Sequence, residues 1–328
     1  MPNDTLSPPY LVAWELTLRS NALCLHADNG SGTAASTAGE LSPLEALAVV
    51  DDLAESGVPL LGLMGGEPLL RPDWRRIARR AVRRGIAVSL ATDGWLVSEE
   101  IADELAAVGV QSVTVGLDSH LPAVHDRLHQ QPGLHAAAEA AVHRLAARGL
   151  RTVVSFTPTA LNWEHAEGVV EGAAALGARA VALSEYVPAG RALSPLHAAT
   201  AGQRRRVAAT WEMLRTTWRG RLNLLGPELW ATLGSALEVG TACAAARRLA
   251  RIRPDGTVTP CPFLETPMGS LREESFGNIW ERALGGPSPY RASPEALLRC
   301  GACRWQTGEA ASGYAAAGAA WACAPSPP

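Results

Sequence analysis

The chain has 328 residues, 47% of them hydrophobic, enough to bury the core of one large domain and a smaller one. Its formal charge of -3 gives no electrostatic case for nucleic acid or an anionic membrane surface, which select strongly basic proteins, so neither is expected as a partner. The opening MPNDTLSPPY lacks the basic-then-apolar order of a signal peptide, and no apolar run of spanning length follows, which makes the cytoplasm the expected location.

Leu11, Val12, Trp14, Leu16 and Leu18 read as a first strand that breaks at Ser20-Asn21 into a loop carrying Cys24, His26 and Asp28. Ser42-Pro43 looks like an N-cap with proline at the first helical position, and Leu44, Leu47, Val50 and Ala54 continue an apolar stripe to Gly57. A buried-type strand over 58–64 runs into Gly65-Gly66-Glu67-Pro68. The helix expected over 72–84 has Trp74, Ile77, Ala78, Ala81 and Val82 on its core face. Its arginines, Arg75, Arg76, Arg79, Arg80, Arg83 and Arg84, lie mostly on the other side. They form a solvated face, with docking of an acidic peptide as the alternative.

Strands then follow over 86–91, 110–117, 150–156 and 178–183, separated by helices over 99–108, 134–148 and 163–176. Six βα-type units at this spacing imply parallel strands with right-handed crossovers, in an open doubly wound sheet or in a full or partial barrel. In either arrangement the loops after the strands share one face, where ligands bind. Those loops hold the unusual residues: 20–28, 65–68, Thr92-Asp93-Gly94, Gly116 to Ser119, 157–162 and 184–191. Beyond residue 200 the pattern changes to a helix over 203–218 and then to a region punctuated by glycine and proline. The expected divisions are an extension over 1–10, a core over 11–200, a connecting helical region over 201–235 and a cysteine-containing domain over 236–328.

Cysteines stand at 24, 243, 261, 300, 303 and 323. In a cytoplasmic protein they are not expected to form a disulfide framework, and their clustering in the last quarter suggests two domains with different cysteine uses.

The stretch 11–32 resembles the first strand and cluster loop of radical S-adenosylmethionine (SAM) enzymes, where C-x3-C-x2-C holds a [4Fe-4S] cluster. On that pattern Cys24 is the middle ligand, His26 lies where a residue approaches the adenine, and the outer ligand positions hold Ser20 and Ala27. Gly65-Gly66-Glu67-Pro68 resembles the family's GGEP motif, whose backbone and glutamate contact the amino group of SAM; glycines permit close approach, and a carboxylate suits an ammonium. A plain strand-to-helix turn also explains the tetrapeptide. The resemblance continues through Thr92-Asp93-Gly94 and through Gly116-Leu117-Asp118, where Gly116 replaces a hydroxyl that would face the cofactor sugar. It also includes His125-Asp126-Arg127-Leu128 at a helix start, with His125 read as structural. The implied fold is a partial (β/α)6 TIM-like barrel, and the implied SAM-contacting residues are His26, Gly65, Gly66, Glu67, Pro68, Thr92, Asp93 and Asp118.

Cys243 and Cys261 around Gly256, then Gly269 and Gly277-Asn278-Ile279-Trp280, resemble the SPASM extension of these enzymes, a module carrying auxiliary [4Fe-4S] clusters. Cys300 and Cys303 supply its first later pair and Cys323 the last; Glu309 and Ser312-Gly313 stand near intervening ligand positions. Cys300, Cys303 and Cys323 with Glu309 allow one mixed cluster or zinc site, weighed against reduced thiols that hold nothing. Because a SAM-cleaving cluster needs three thiolates, Cys24 alone is not expected to hold one. The spacing of Cys24, His26 and Asp28 admits another small metal site, against the simpler reading of a vestigial loop.

Three functions follow from the resemblance. The first is a cluster-less partner that binds an active radical SAM relative, or that relative's peptide substrate, in peptide or natural-product maturation. With the first strand beginning near residue 11, a separate leader-recognition protein would be required. The second is a SAM-binding enzyme without one-electron chemistry, such as a methyltransferase, with Glu67, Asp93, Asp118 and His26 as its pocket groups. The third is an active enzyme disabled at Ser20 and Ala27, which the parallel losses at Glu309 and Ser312 argue against.

Overall fold

Leu11, Val12, Ala13, Trp14 and Leu16 make β1, Leu11–Thr17, a strand buried on both faces, with Trp14 fully enclosed and the polar Glu15 and Thr17 buried beside them. The computed structural model describes residues 7–184, 186–187, 190–193, 197–226, 245–246 and 248–285. Cys243, Cys300, Cys303, Glu309 and Cys323 lie outside the described residues. After β1 the elements alternate: α1 Pro43–Glu55, β2 Leu60–Gly65, α2 Trp74–Arg83, β3 Ala87–Thr92, α3 Glu99–Val108 and β4 Ser112–Gly116. Two helices then follow in succession, α4 Pro122–His129 and α5 Leu134–Ala147, before β5 Arg151–Phe156, α6 Ala166–Ala175, β6 Ala180–Leu183, α7 Ala201–Thr217 and β7 Asn223–Leu225. Strands β8 Leu249–Ile252, β9 Thr257–Thr259 and β10 Gly269–Ser270 precede α8 Phe276–Gly285.

The sheet order is β10-β9-β8-β1-β2-β3-β4-β5-β6-β7. From β1 to β7 every strand pairs in parallel with its successor, with no reversal of order. A doubly wound sheet reverses at a switch point, whereas continuous winding is the barrel type, so the choice that periodicity left open is settled for the (β/α)6 arrangement. On β3 and β4 the buried Val88, Leu90, Val113 and Val115 alternate with the half-buried Ser89, Ala91, Thr114 and Gly116. The first set packs into one core with Ile77, Ala81 and Leu105 of the helices, and the second lines the opposite, half-open face.

Helix α1 begins as its sequence dictates. The Ser42 hydroxyl accepts from Glu45 N, Glu45 accepts from Ser42 N, and Pro43 fills the first turn. On α2, Trp74, Ile77, Ala78 and Ala81 are buried, while Arg75 pairs with Glu104, Arg80 with Asp51, and Arg84 with Asp51 and Glu55. These acids sit on α1 and α3, while Arg76, Arg79 and Arg83 are exposed and form no ion pair among the described residues, so the arginine face is half paired to neighbouring helices and otherwise solvated.

β8 comes from the region expected to begin a separate domain, yet it joins the same sheet, parallel to β1 from Leu11↔Leu249 to Trp14↔Ile252. Its Arg251, 2% exposed, donates to Thr259 Oγ1, Pro262 O and Glu265, and lies 3.9 Å from the buried Glu15 of β1. α8 buries Phe276, Ile279 and Trp280, and Phe276 N donates to Asp52 of α1. Among the described residues no helix is long and apolar enough to cross a membrane.

Candidate functional site

Two backbone hydrogen bonds fix the first loop over the end of α4: Leu23 N donates to His129 O and Leu25 N to Leu128 O. Pro122 sits in the first turn of α4, which closes on Gln130 in the left-handed region (φ 52°). His125 and His129 fall one turn apart on its buried face. Cys24 Sγ therefore lies 3.2 Å from His129 Nδ1. The opposite nitrogen, His129 Nε2, is 2.9 Å from Asp118 Oδ2, and His26 Nε2 is 3.2 Å from the same oxygen.

Asp118, at the end of β4, is held from every side. Its Oδ1 accepts from Thr157 N (2.7 Å), its carbonyl accepts from Asn162 Nδ2 (2.6 Å), and its N–H donates to His125 Nδ1 (3.1 Å). Burial alone would raise the Asp118 pKa, but the facing imidazoles of His26 and His129 hold it well below the usual carboxylate range. Burial would likewise lower that of His129, which Cys24 and Asp118 on its two nitrogens instead raise to about 10. His125, buried beside His129, is pushed down to about 2 and stays neutral. An imidazole set between a thiol and a carboxylate is the order of groups that activates a nucleophile; two imidazoles and a carboxylate are also a metal-ligand set.

The second cluster of expected cofactor residues is bound into the protein itself. Glu67 is fully buried: Oε1 accepts from Leu69 N, and Oε2 from Thr92 Oγ1 (2.8 Å) and Asp93 N (3.0 Å). Asp93 accepts from Asn21 Nδ2 (2.6 Å) and from Trp95 N. Pro68 opens a short 3-10 turn capped by Glu67. A Cβ on Gly65 would stand 2.3 Å from Thr17 O, and one on Gly66 2.2 Å from Arg19 O. Both glycines are thus demanded by the crossing of two backbones. Gly116 differs, since its Cβ would meet only His129 Cε1, at 3.8 Å.

The expected residues accordingly divide. His26 and Asp118 meet, joined by His129 and Cys24; Glu67, Thr92, Asp93 and Asn21 form a neighbouring network; Asp28 is absent from the one group of potential ligands among the described residues, His26, Asp118 and His129. A cubane in this loop requires three thiolates. The loop offers Cys24, whose sulfur is engaged by His129, Ser20, whose Oγ accepts from Ala22 N, and Ala27, which has no donor side chain. Cys261, the one late cysteine described, is buried in a small cluster with Leu11, Ala13, Ala245 and Leu249. His129 was missed from the sequence, though H-x3-H at 125 and 129 was a legible signal of two imidazoles on one helical face.

Residues 15–171 match the family model of the radical SAM superfamily, and residues 243–304 that of SPASM, an iron-sulfur cluster-binding domain. The chain is 32% identical to the AdoMet-dependent heme synthase of Methanosarcina barkeri, with 94% of this chain aligned to 93% of that one. It belongs to the radical SAM superfamily. A second radical SAM relative, the mycofactocin maturase MftC of Mycobacterium tuberculosis, is 29% identical over 91% of this chain and 76% of its own. In fold the chain resembles Streptococcus suis SuiB bound to S-adenosylmethionine, with a TM-score of 0.73 at 15% identity over 91% of this chain and 72% of that one. This radical SAM fold places the loops 20–28, 65–68 and 92–94 and Asp118 together at the carboxyl ends of β1 to β4.

Proposed function

We propose that this radical SAM protein does not assemble the SAM-cleaving [4Fe-4S] cluster, and that it acts as a partner or substrate-binding component in the maturation of a peptide or other natural product. One observation carries the proposal. The only thiol in the cluster loop is hydrogen-bonded to an imidazole that is itself anchored on a buried carboxylate, so the loop is organised around a polar relay and not around iron. The substrate class is supported by relatives named for peptide chemistry, the mycofactocin maturase and the PqqA peptide cyclases. The partner reading is favoured over a non-radical SAM enzyme because packing alone accounts for Gly65, Gly66 and the carboxylate of Glu67.

When bound, a cluster in this family supplies an electron to SAM. Here the residues instead bind and orient. Asp118 and His129 fix the first loop against the fourth and fifth, and Asn21 with Asp93 ties it to the third. Anaerobically purified and iron-sulfide-reconstituted protein, incubated with SAM and a strong reductant, is expected to release no 5′-deoxyadenosine by chromatography. Co-purification from the native host should bring down a second, cluster-bearing radical SAM protein or its peptide. Release of 5′-deoxyadenosine in an amount that depends on Cys24 would end the proposal.

A further inference from the structure

We propose that His26, Asp118 and His129 hold one divalent transition-metal ion at the mouth of the strand loops, a mononuclear site distinct from an iron-sulfur cubane. The inference rests on the cluster-free reading of this loop. One potential donor atom from each of His26, Asp118 and His129 lies within 4.8 Å of the other two. The two histidine-to-carboxylate separations, 3.2 and 2.9 Å, match donors on adjacent positions around an ion with bonds of about 2.0–2.2 Å. The His26 and His129 rings meet edge to face with centroids 5.0 Å apart, so their nitrogens approach one point from different directions.

The supporting shell is already in place. Cys24 Sγ sits on His129 Nδ1, which fixes the ring, and Thr157 N holds the second oxygen of Asp118, so the ion takes the place of the proton that His129 Nε2 shares with Asp118 Oδ2. Cys24 thus serves as the group that orients a ligand. A second observation points the same way: His26 Nδ1, His125 Nε2 and His135 Nε2 are buried with no hydrogen-bond partner. Of these, His26 meets the Asp118 carboxylate and His125 accepts from the Asp118 N–H, so part of the polar lining beside this carboxylate is unsatisfied within the protein. Two imidazoles and one carboxylate suit zinc or ferrous iron better than magnesium or calcium, and three protein ligands leave positions open to water or to a substrate oxygen. Gly116 keeps the side of β4 next to His129 clear.

The test uses the full chain, stripped with chelator and titrated with Co2+ under visible absorption, then competed with Zn2+. One equivalent is expected to give ligand-field bands without a sulfur-to-cobalt charge-transfer band, the latter reporting the cysteines elsewhere in the chain. His26→Ala should remove that equivalent, weakening binding by at least about 100-fold, and Cys24→Ala should weaken it by about 10–100-fold. His26 is partly exposed and its Nδ1 is unpartnered, so His26→Ala keeps the fold, checked by circular dichroism; Asp118→Asn is the second variant. Wild-type stoichiometry and affinity in both variants overturns the proposal. A reducible iron-sulfur chromophore lost in Cys24→Ala overturns the cluster-free reading and this site together. Absence of both chromophore and cobalt bands overturns this site alone.

Discussion

Gly66→Ala is expected to destabilise the fold by more than about 4 kcal/mol, enough to deplete folded protein, read as a collapsed urea midpoint or loss of soluble expression. The added Cβ would lie 2.2 Å from Arg19 O, 2.7 Å from Arg19 C and 2.9 Å from Leu18 O, all backbone atoms. Relief by movement is blocked, because Gly66 N donates to Thr17 O and Glu67 N to Arg19 O, pinning the two chains to each other. Gly65→Ala adds a left-handed φ of 132° to a contact of 2.3 Å with Thr17 O. Gly116→Ala is the contrast, with its nearest contact at an ordinary 3.8 Å, and should unfold close to wild type. If Gly66→Ala unfolds like wild type, close packing is not why that glycine is there, and the case for a ligand cradle revives.

The second large effect is expected at Glu67. Removing its carboxylate in Glu67→Ala strands the buried N–H groups of Leu69 and Asp93 and the hydroxyl of Thr92, a loss of about 2–5 kcal/mol. The same residue should leave a mark on pH dependence. Burial first, and the facing Asp93 second, push its pKa well above the ordinary carboxylate value, against the three hydrogen bonds it accepts. The folded protein then keeps a proton that the unfolded chain releases above about pH 4.3. The contribution of Glu67 is therefore greatest below that pH and declines as pH rises towards the folded pKa. Urea midpoints measured from pH 4.5 upwards should show this decline in wild type and a flatter profile in Glu67→Gln. An identical slope in the two proteins would show that another group sets it.

Much of the architecture was legible because the chain states it repeatedly. Short apolar strands, capped helices such as that beginning at Ser42, and loop residues of unusual chemistry recur in a fixed order. What periodicity cannot state is which strand lies beside which, and the winding was resolved only by pairings such as Ser89↔Ser112 and Val153↔Ala180. Periodicity does not mark α4, whose eight residues bury mainly His125, Leu128 and His129, a face with little apolar signal; the resemblance alone pointed to a helix here, and it starts at Pro122, three residues before His125. β8 was unreadable for a related reason: Arg251 looks like a surface residue until Glu15, Thr259 and Glu265 are brought around it from three other parts of the chain. In the site, Asp118 and His26 could each be singled out by their loops. Their meeting with His129 depends on two backbone hydrogen bonds between the first loop and the end of α4, a contact no local pattern encodes.

The pairing of β1 with β8 bears on how the molecule is born. While the chain is being synthesised, one margin of β1 waits for a partner that lies 238 residues further along, from Leu11 to Leu249, and until then its peptide groups are open to association with other chains. Nascent or truncated forms ending before residue 249 should therefore lean on holding chaperones, and the late segment doubles as the clasp that makes the newborn barrel safe.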